Sequence, residues 1–398
     1  MHNGAKRRVT IVGGGVAALE ALLALRSLAG DLASVELVAD TPQFSYRPLA
    51  VAEPFGLGAC HRFDLTRIAR DQGATLHVTG VDAVEPEAQR IVTWDGRSFT
   101  YDLLLVAVGA RSTTAIPGSV SIKGPAYTSR FRTVLRELDK RQITRVAFAV
   151  PAGASWPLPL YELALLTAAH VAERGLRKVQ LQLVTHESQP LDLFGATASA
   201  AVRELLEDSG IEVLTDRVPL EARQGELVTA PGPALAADRV VSLPGLVGPA
   251  IRGLPQDRDG FIPVDLHGRV RGLEDVYAAG DATTCPIKQG GVAAQQADAA
   301  AEAIAARLGR DLDPRPFRPV LRGLLLTGAA PRYLQAEVAG GRGDAGQVSE
   351  HALWWPPSKV AGQHLAPYLT TQLNELDGPG SGVHVEVRVA AGSFAAER

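Results

Sequence analysis

Near the start of the chain an apolar β-type run, Arg8 to Val12, enters the turn Gly13-Gly14-Gly15-Val16-Ala17, which opens an apolar helical pattern ending near Gly30. "SVELVAD" follows as a second strand. Strand, glycine turn, helix and strand in that order make a βαβ unit, whose strands lie parallel with the helix crossing one face. Gly13, Gly15 and Ala17 form G-x-G-x-x-A at the strand-to-helix junction. The first glycine permits the tight turn, the second lets a pyrophosphate approach the backbone, and the helix N-terminus offers N–H groups to the anion. A glycine turn in an α/β protein that binds no nucleotide reads the same way. An acid at the end of the second strand would hold a ribose; Asp40, just past the strand, and Glu36, inside it, compete for that role.

A second β/α series begins at "RVAFAV", Arg145 to Val150, and continues through a helical pattern from Leu160, the strand "VQLQLVT", a helix stopped by Gly210 and the strand "IEVLT". Between the two series, "TLHVTGVDAVEPEAQRIVTWDG" alternates apolar and polar residues and predicts a small antiparallel sheet. "YDLLLVAVGA" is a continuous apolar run, as buried parallel strands are. "DVYAAGD", Asp275 to Asp281, is another apolar strand, and an alanine-rich helix from near Gly290 ends at Gly309. After "DPRPFRP" the composition changes to "LWWPPSK", one short helix and the alternating "VHVEVRV".

The chain of 398 residues is 46% hydrophobic and 21% charged, which fits two or three globular domains. Forty Lys and Arg against 43 Asp and Glu, with no basic block, leave no footprint for nucleic acid. No apolar stretch reaches the roughly 18 residues of a spanning helix. Two distant cysteines, Cys60 and Cys285, and an N-terminus without a signal-peptide pattern point to a cytoplasmic protein with no disulfide framework and no metal site.

The glycine turn, "LLLVAVGA" and "VYAAGDAT" together resemble the flavoproteins with two dinucleotide-binding domains, the pyridine nucleotide-disulfide oxidoreductase superfamily, over about residues 8 to 310. Within it the chain is most similar to sulfide:quinone oxidoreductases and type II NADH dehydrogenases. The resemblance implies an α/β chain of two Rossmann-like domains in the glutathione-reductase-like arrangement. The FAD domain would be residues 1–117 and 245–318, the second domain 118–244, and a small C-terminal region 319–398 would cover the flavin or form an interface. It implies FAD, with Gly13, Gly15, Val16 and Ala17 at the pyrophosphate, Val81, Ala107, Val108 and Gly109 near the adenosine, and Gly280 and Asp281 near the ribityl chain.

"FSYRPLAVAEPFG" resembles the segment beside the isoalloxazine, with Arg47 and Pro48 as contacts or as parts of a surface turn. The helix beginning near Gly290 and Gly291 would aim its positive dipole end at the cofactor. Lys288 either adds charge beside the ring or faces solvent. Cys285 is a nucleophile or a packing residue, and the sequence supplies no paired redox motif beside it.

The second strand-to-helix turn departs from the NADH-using pattern. "PAGASWP" puts bulky Trp156 and φ-locked Pro157 where glycine would admit a pyrophosphate, and Pro151, Pro157 and Pro159 remove three N–H donors. Loss of nicotinamide binding is expected. Glu162 keeps the family's glutamate position, either to relay a proton to or from the flavin or as an ordinary first-turn glutamate. Trp354, Trp355, Pro356 and Pro357 would cover the flavin or pack a homodimer interface, and Lys359 would reach the ring or flank a helix. The C-terminal helix lacks a basic face, which disfavours membrane attachment. The expected activity is a flavin-dependent oxidoreductase passing electrons from a small-molecule donor to an acceptor such as a quinone. An NAD(P)H dehydrogenase and a non-catalytic redox-sensing flavin module are the alternatives.

Overall fold

The computed structural model describes residues 6–122, 126–339, 342–343 and 346–377. Two five-stranded parallel sheets dominate it. The first runs Val276–Ala278, Leu103–Val106, Arg7–Val12, Ala33–Ala39 and Thr75–Val78. The second runs Val120–Ser121, Arg239–Ser242, Arg145–Val150, Gln180–Thr185 and Ile211–Leu214. In both, the strand that opens the βαβ unit is central, with its partner on one side and a strand from far along the chain on the other. Register follows the apolar runs: Val9 faces Val35 and Leu103, and Phe148 faces Leu183 and Val241.

The Val16–Ala29 helix is buried almost all round because it lies between the first sheet and the alanine-rich Gly290–Arg307 helix. Small side chains let the two helices approach closely. The Leu158–Glu173 helix is equally apolar, packed between the second sheet and a hairpin of Val320–Leu325 with Arg332–Ala339. Beyond that hairpin the chain returns across the molecule, and a last helix, Leu365–Asp377, lays Leu365, Leu369 and Leu373 against the Val16–Ala29 helix.

Two sequence expectations need revision. Thr75–Val78 is not part of the small antiparallel sheet; it pairs parallel with Ala33–Ala39 as the edge of the first sheet. The antiparallel sheet is formed by Val81–Glu85, Arg90–Thr93 and Ser98–Thr100 alone. The helix expected from Leu160 begins at Leu158. The strand expected at "VHVEVRV" lies outside the described residues.

Candidate active site

A cavity of about 840 Å³ opens at the C-terminal ends of the first sheet's strands and runs toward the second unit. Ligands of open parallel sheets sit at this end. At the glycine turn, Gly13 adopts φ +130°, and a Cβ there would lie 2.2 Å from the Ala107 carbonyl oxygen. Only glycine fits. Gly15 borders open space, and no side chain caps the helix that it starts. The turn therefore offers a bare backbone cradle with helix N–H groups behind it, which is what a pyrophosphate requires.

Farther along, Asp40, Val81, Val108 and Gly109 line the cavity. Glu36 does not line it and is held by Arg8 at 3.8 Å and His77 at 3.7 Å. Trp94 stands over Gly80, with its indole filling the space a Cβ would need. It is 69% exposed and carries no local signature of a binding residue in the sequence.

Arg47, Pro48, Lys288, Gln289 and Gly290 also line the cavity. Gln289 caps the helix by accepting the Val292 N–H at 2.8 Å. Gln296 accepts both the Gly280 N–H and the Thr283 hydroxyl at 3.0 Å, which fixes the loop leading to Lys288. The Lys288 ammonium donates to the Thr283 carbonyl and lies 4.0 Å from the centre of the Phe261 ring. Burial lowers its pKa, against the opposing charge of Asp281. Burial likewise raises Asp281, which Lys288 partly offsets.

Glu162, 1% exposed, lies on the cavity wall and accepts the Leu326 N–H at 3.0 Å and the Lys359 ammonium. Burial raises its pKa; Lys359 and the hydrogen bonds pull the other way. Three separate parts of the chain thus meet at one carboxylate. Ala17, Ala107, Gly280, Asp281, Cys285 and Gly291 stand behind the lining rather than in it. Cys285 contacts the Ile287 carbonyl at 3.8 Å, and burial is the main cause raising its thiol pKa. Burial raises that of Cys60 too. Arg47 and Arg62 pull the Cys60 thiol the other way, as Lys288 does that of Cys285. Trp354 packs on Tyr333 and donates to the Ser358 carbonyl, while Trp355 is 82% exposed; neither lines the cavity.

The second strand-to-helix turn is built differently from the first. Trp156 packs edge-on to Phe194 at 5.7 Å, and Pro157 stands at the N-cap of the Leu158–Glu173 helix, where the first turn has Gly15. Leu160 N–H bonds back to the Pro157 carbonyl at 2.9 Å. Glu187, just past the second strand of this unit, turns inward: it accepts from the Tyr161 hydroxyl at 2.7 Å, from Thr185 at 2.8 Å and from the Asp192 N–H at 3.2 Å.

Comparison with known proteins agrees with this architecture. Residues 7–301 match the profile described as pyridine nucleotide-disulphide oxidoreductase. A sulfide-quinone reductase of Aquifex aeolicus is 28% identical over 212 residues, 51% of this chain and 48% of that one, so the match spans about half of the relative's length. An NADH dehydrogenase-like protein of Mycobacterium tuberculosis is 28% identical over 290 residues, covering 69% of this chain and 72% of the relative. Among solved structures, the sulfide:quinone oxidoreductase of Aquifex aeolicus superposes with a TM-score of 0.78 at 20% identity, covering 87% of each chain.

Proposed function

The chain belongs to the pyridine nucleotide-disulphide oxidoreductase family, and from that premise we propose that it is an FAD-dependent oxidoreductase that takes electrons from a small-molecule donor other than NAD(P)H and passes them to an acceptor such as a quinone, with no redox-active cysteine pair. FAD is the family's cofactor, and the bare cradle at Gly13 and Gly15 fits its pyrophosphate. Gly13, Gly15 and Val16 would hold that group, Asp40 the ribose, and Val81, Val108 and Gly109 the adenosine. Ala17, Ala107, Gly280, Asp281 and Gly291 would support these contacts from behind. We divide the chain into an FAD domain of residues 1–117 and 245–318, a second domain of 118–244, and a C-terminal region from 319 onward.

The observation that supports the rejection of NAD(P)H is the makeup of the second turn. Trp156, packed on Phe194, stands in the turn where the first unit has glycine, Pro157 and Pro159 supply no N–H, and the inward-turned Glu187 has its oxygens engaged by Tyr161, Thr185 and Asp192. A dinucleotide pyrophosphate would find no cradle there.

Bound FAD supplies two-electron chemistry; the chain's own groups supply position, charge and a proton site. Lys288 and the start of the Gly290–Arg307 helix place positive potential at the ring end, which favours added negative charge there. Glu162 Oε1 holds a proton or releases it beside the cavity, and the Lys359 ammonium compensates when it is released. Arg47 and Pro48 form the wall against which the ring would lie.

Anaerobic mixing with NADH or NADPH tests the reading. The purified yellow protein should keep its flavin absorbance on the stopped-flow timescale at micromolar nucleotide. Rapid bleaching would overturn it in favour of an NAD(P)H dehydrogenase, and a protein that binds no flavin after reconstitution would overturn it altogether.

A further inference from the structure

We propose that the small-molecule substrate of this site is an organic anion, a carboxylate on an apolar body, held by Arg322 and Tyr127 at the end of the cavity remote from the glycine turn; this inference rests on the proposed flavin site.

Two polar groups in that end of the cavity lack partners among the described residues. Arg322 projects from the Val320–Leu325 strand, and its buried Nε donor meets no acceptor. Tyr127 opens the Tyr127–Asp139 helix on another wall, is 3% exposed, and its buried hydroxyl is also unpaired. Buried polar groups are nearly always hydrogen-bonded, and one left alone destabilises the fold. Two in one cavity mark contacts made to a ligand.

Charge identifies the ligand further. The cavity is lined by five cationic side chains, Arg47, Arg111, Lys288, Arg322 and Lys359, against two carboxylates, Asp40 and Glu162. Glu162 pairs with Lys359, and Asp281 stands behind Lys288. Arg111 donates to the Gly248 carbonyl beside the adenosine end. Arg322 has no such counterpart: its pKa is lowered by burial with no carboxylate to restore it. An uncompensated, half-buried guanidinium is unfavourable in the free protein and favourable once an oxyanion occupies its fork. The walls between are apolar, from Ile122, Trp156, Leu158 and Leu324. A neutral quinone would accept hydrogen bonds from the same donors but would leave the guanidinium charge uncompensated.

Benzoate and its neutral isostere benzamide serve as probes, titrated into the flavin-loaded protein by calorimetry and by the visible flavin spectrum. Benzoate should bind at least about tenfold more tightly than benzamide, perturb the spectrum saturably and raise the Tm. Arg322→Met should abolish that preference and, in the absence of benzoate, raise the Tm, because it removes an unpaired, half-buried charge. Tyr127→Phe should weaken benzoate while leaving benzamide less affected. Equal binding of the two probes to the unaltered protein, or undiminished benzoate affinity in Arg322→Met, overturns the proposal. Calorimetry needs no flavin, so a protein that binds benzoate without any flavin separates failure of the cofactor reading from failure of this one.

Discussion

The Tyr161 hydroxyl donates to Glu187 at 2.7 Å and receives the Leu191 N–H at 3.3 Å. Tyr161 comes from the helix after the altered turn, and Glu187 from just past the next strand, so the bond closes the second unit at the place where the first unit opens. In the first unit the corresponding acid, Asp40, faces the cavity. Burial is the main cause raising the Glu187 pKa, opposed by its hydrogen bonds. Removing the hydroxyl in Tyr161→Phe should therefore destabilise the protein by about 1–3 kcal/mol, read as a lower urea midpoint, while flavin absorbance stays unchanged. An unchanged midpoint would mean that Glu187 does not depend on this bond.

For the Glu162 and Lys359 pair, the expected signature is in the pH profile. Burial raises the Glu162 pKa, so a proton acceptor at this position ionises above the ordinary carboxylate range, and flavin reduction by a competent donor should quicken as pH rises through that ionisation. Glu162→Gln should lower the rate by about a hundredfold, within the usual range for a general base, and flatten the profile. A slower rate with the profile intact would assign Glu162 a packing role.

Lys288 should set the potential of the bound flavin. Its ammonium contributes about 1–2 kcal/mol to the reduced state if it faces the ring as a partly buried charge, which for a two-electron couple is roughly 20–45 mV. Lys288→Met should lower the midpoint by that amount in a dye-equilibration titration. A midpoint unchanged to within about 5 mV would contradict its placement.

The thiols should be dispensable. Cys285→Ala, alone or with Cys60→Ala, should retain flavin and change turnover by less than about tenfold, or roughly 1.4 kcal/mol of barrier. A loss of several orders of magnitude with an intact spectrum would restore a thiol mechanism.

The local signals for the glycine turn, the central strands of both sheets and the Gly290–Arg307 helix were legible because each depends on residues adjacent in the chain. Thr75–Val78 was misread because a solvated edge strand of a parallel sheet alternates just as a hairpin strand does. Lys288 and Glu162 stood out by position, yet the Lys359 partner lies 197 residues from Glu162, and no pattern in the sequence connects them. Arg322, Tyr127 and Trp94 left no signal. Their significance lies in what surrounds them, and an arginine on a strand reads as solvent-facing until packing buries it.

Between the Val16–Ala29 and Gly290–Arg307 helices, Glu20 accepts the N–H groups of His364 at 2.6 Å and Leu365 at 2.9 Å, while Asp298 meets Glu20 from the second of them. Burial first, and then the Glu20 carboxylate, pushes Asp298 up to about 8; His364, Glu302 and Arg315 are the other charged groups nearby. A carboxyl whose folded pKa lies above its unfolded value binds more protons when folded, so stability falls as pH rises from about 4 toward 8. Asp298→Asn should remove most of that slope and stabilise the protein at pH 8 by more than about 1 kcal/mol, since each unit of pKa difference corresponds to about 1.4 kcal/mol. Parallel urea curves for the two proteins across this range would reject the raised Asp298 pKa.

Because Lys359 and Val360 complete a cavity that begins at Val12, the order of synthesis matters. Both parallel sheets can pair and pack while the ribosome is still translating, since their last strand ends at Ala278. The wall beside Glu162 cannot. Until residue 359 emerges, a nascent chain carries a glycine cradle open to solvent and a glutamate without its lysine, so the pocket is finished only after both sheets can have formed. Flavin captured earlier would be held by the cradle alone and exchange freely, and a ribosome-stalled chain ending before Lys359 should release it far faster than the full protein.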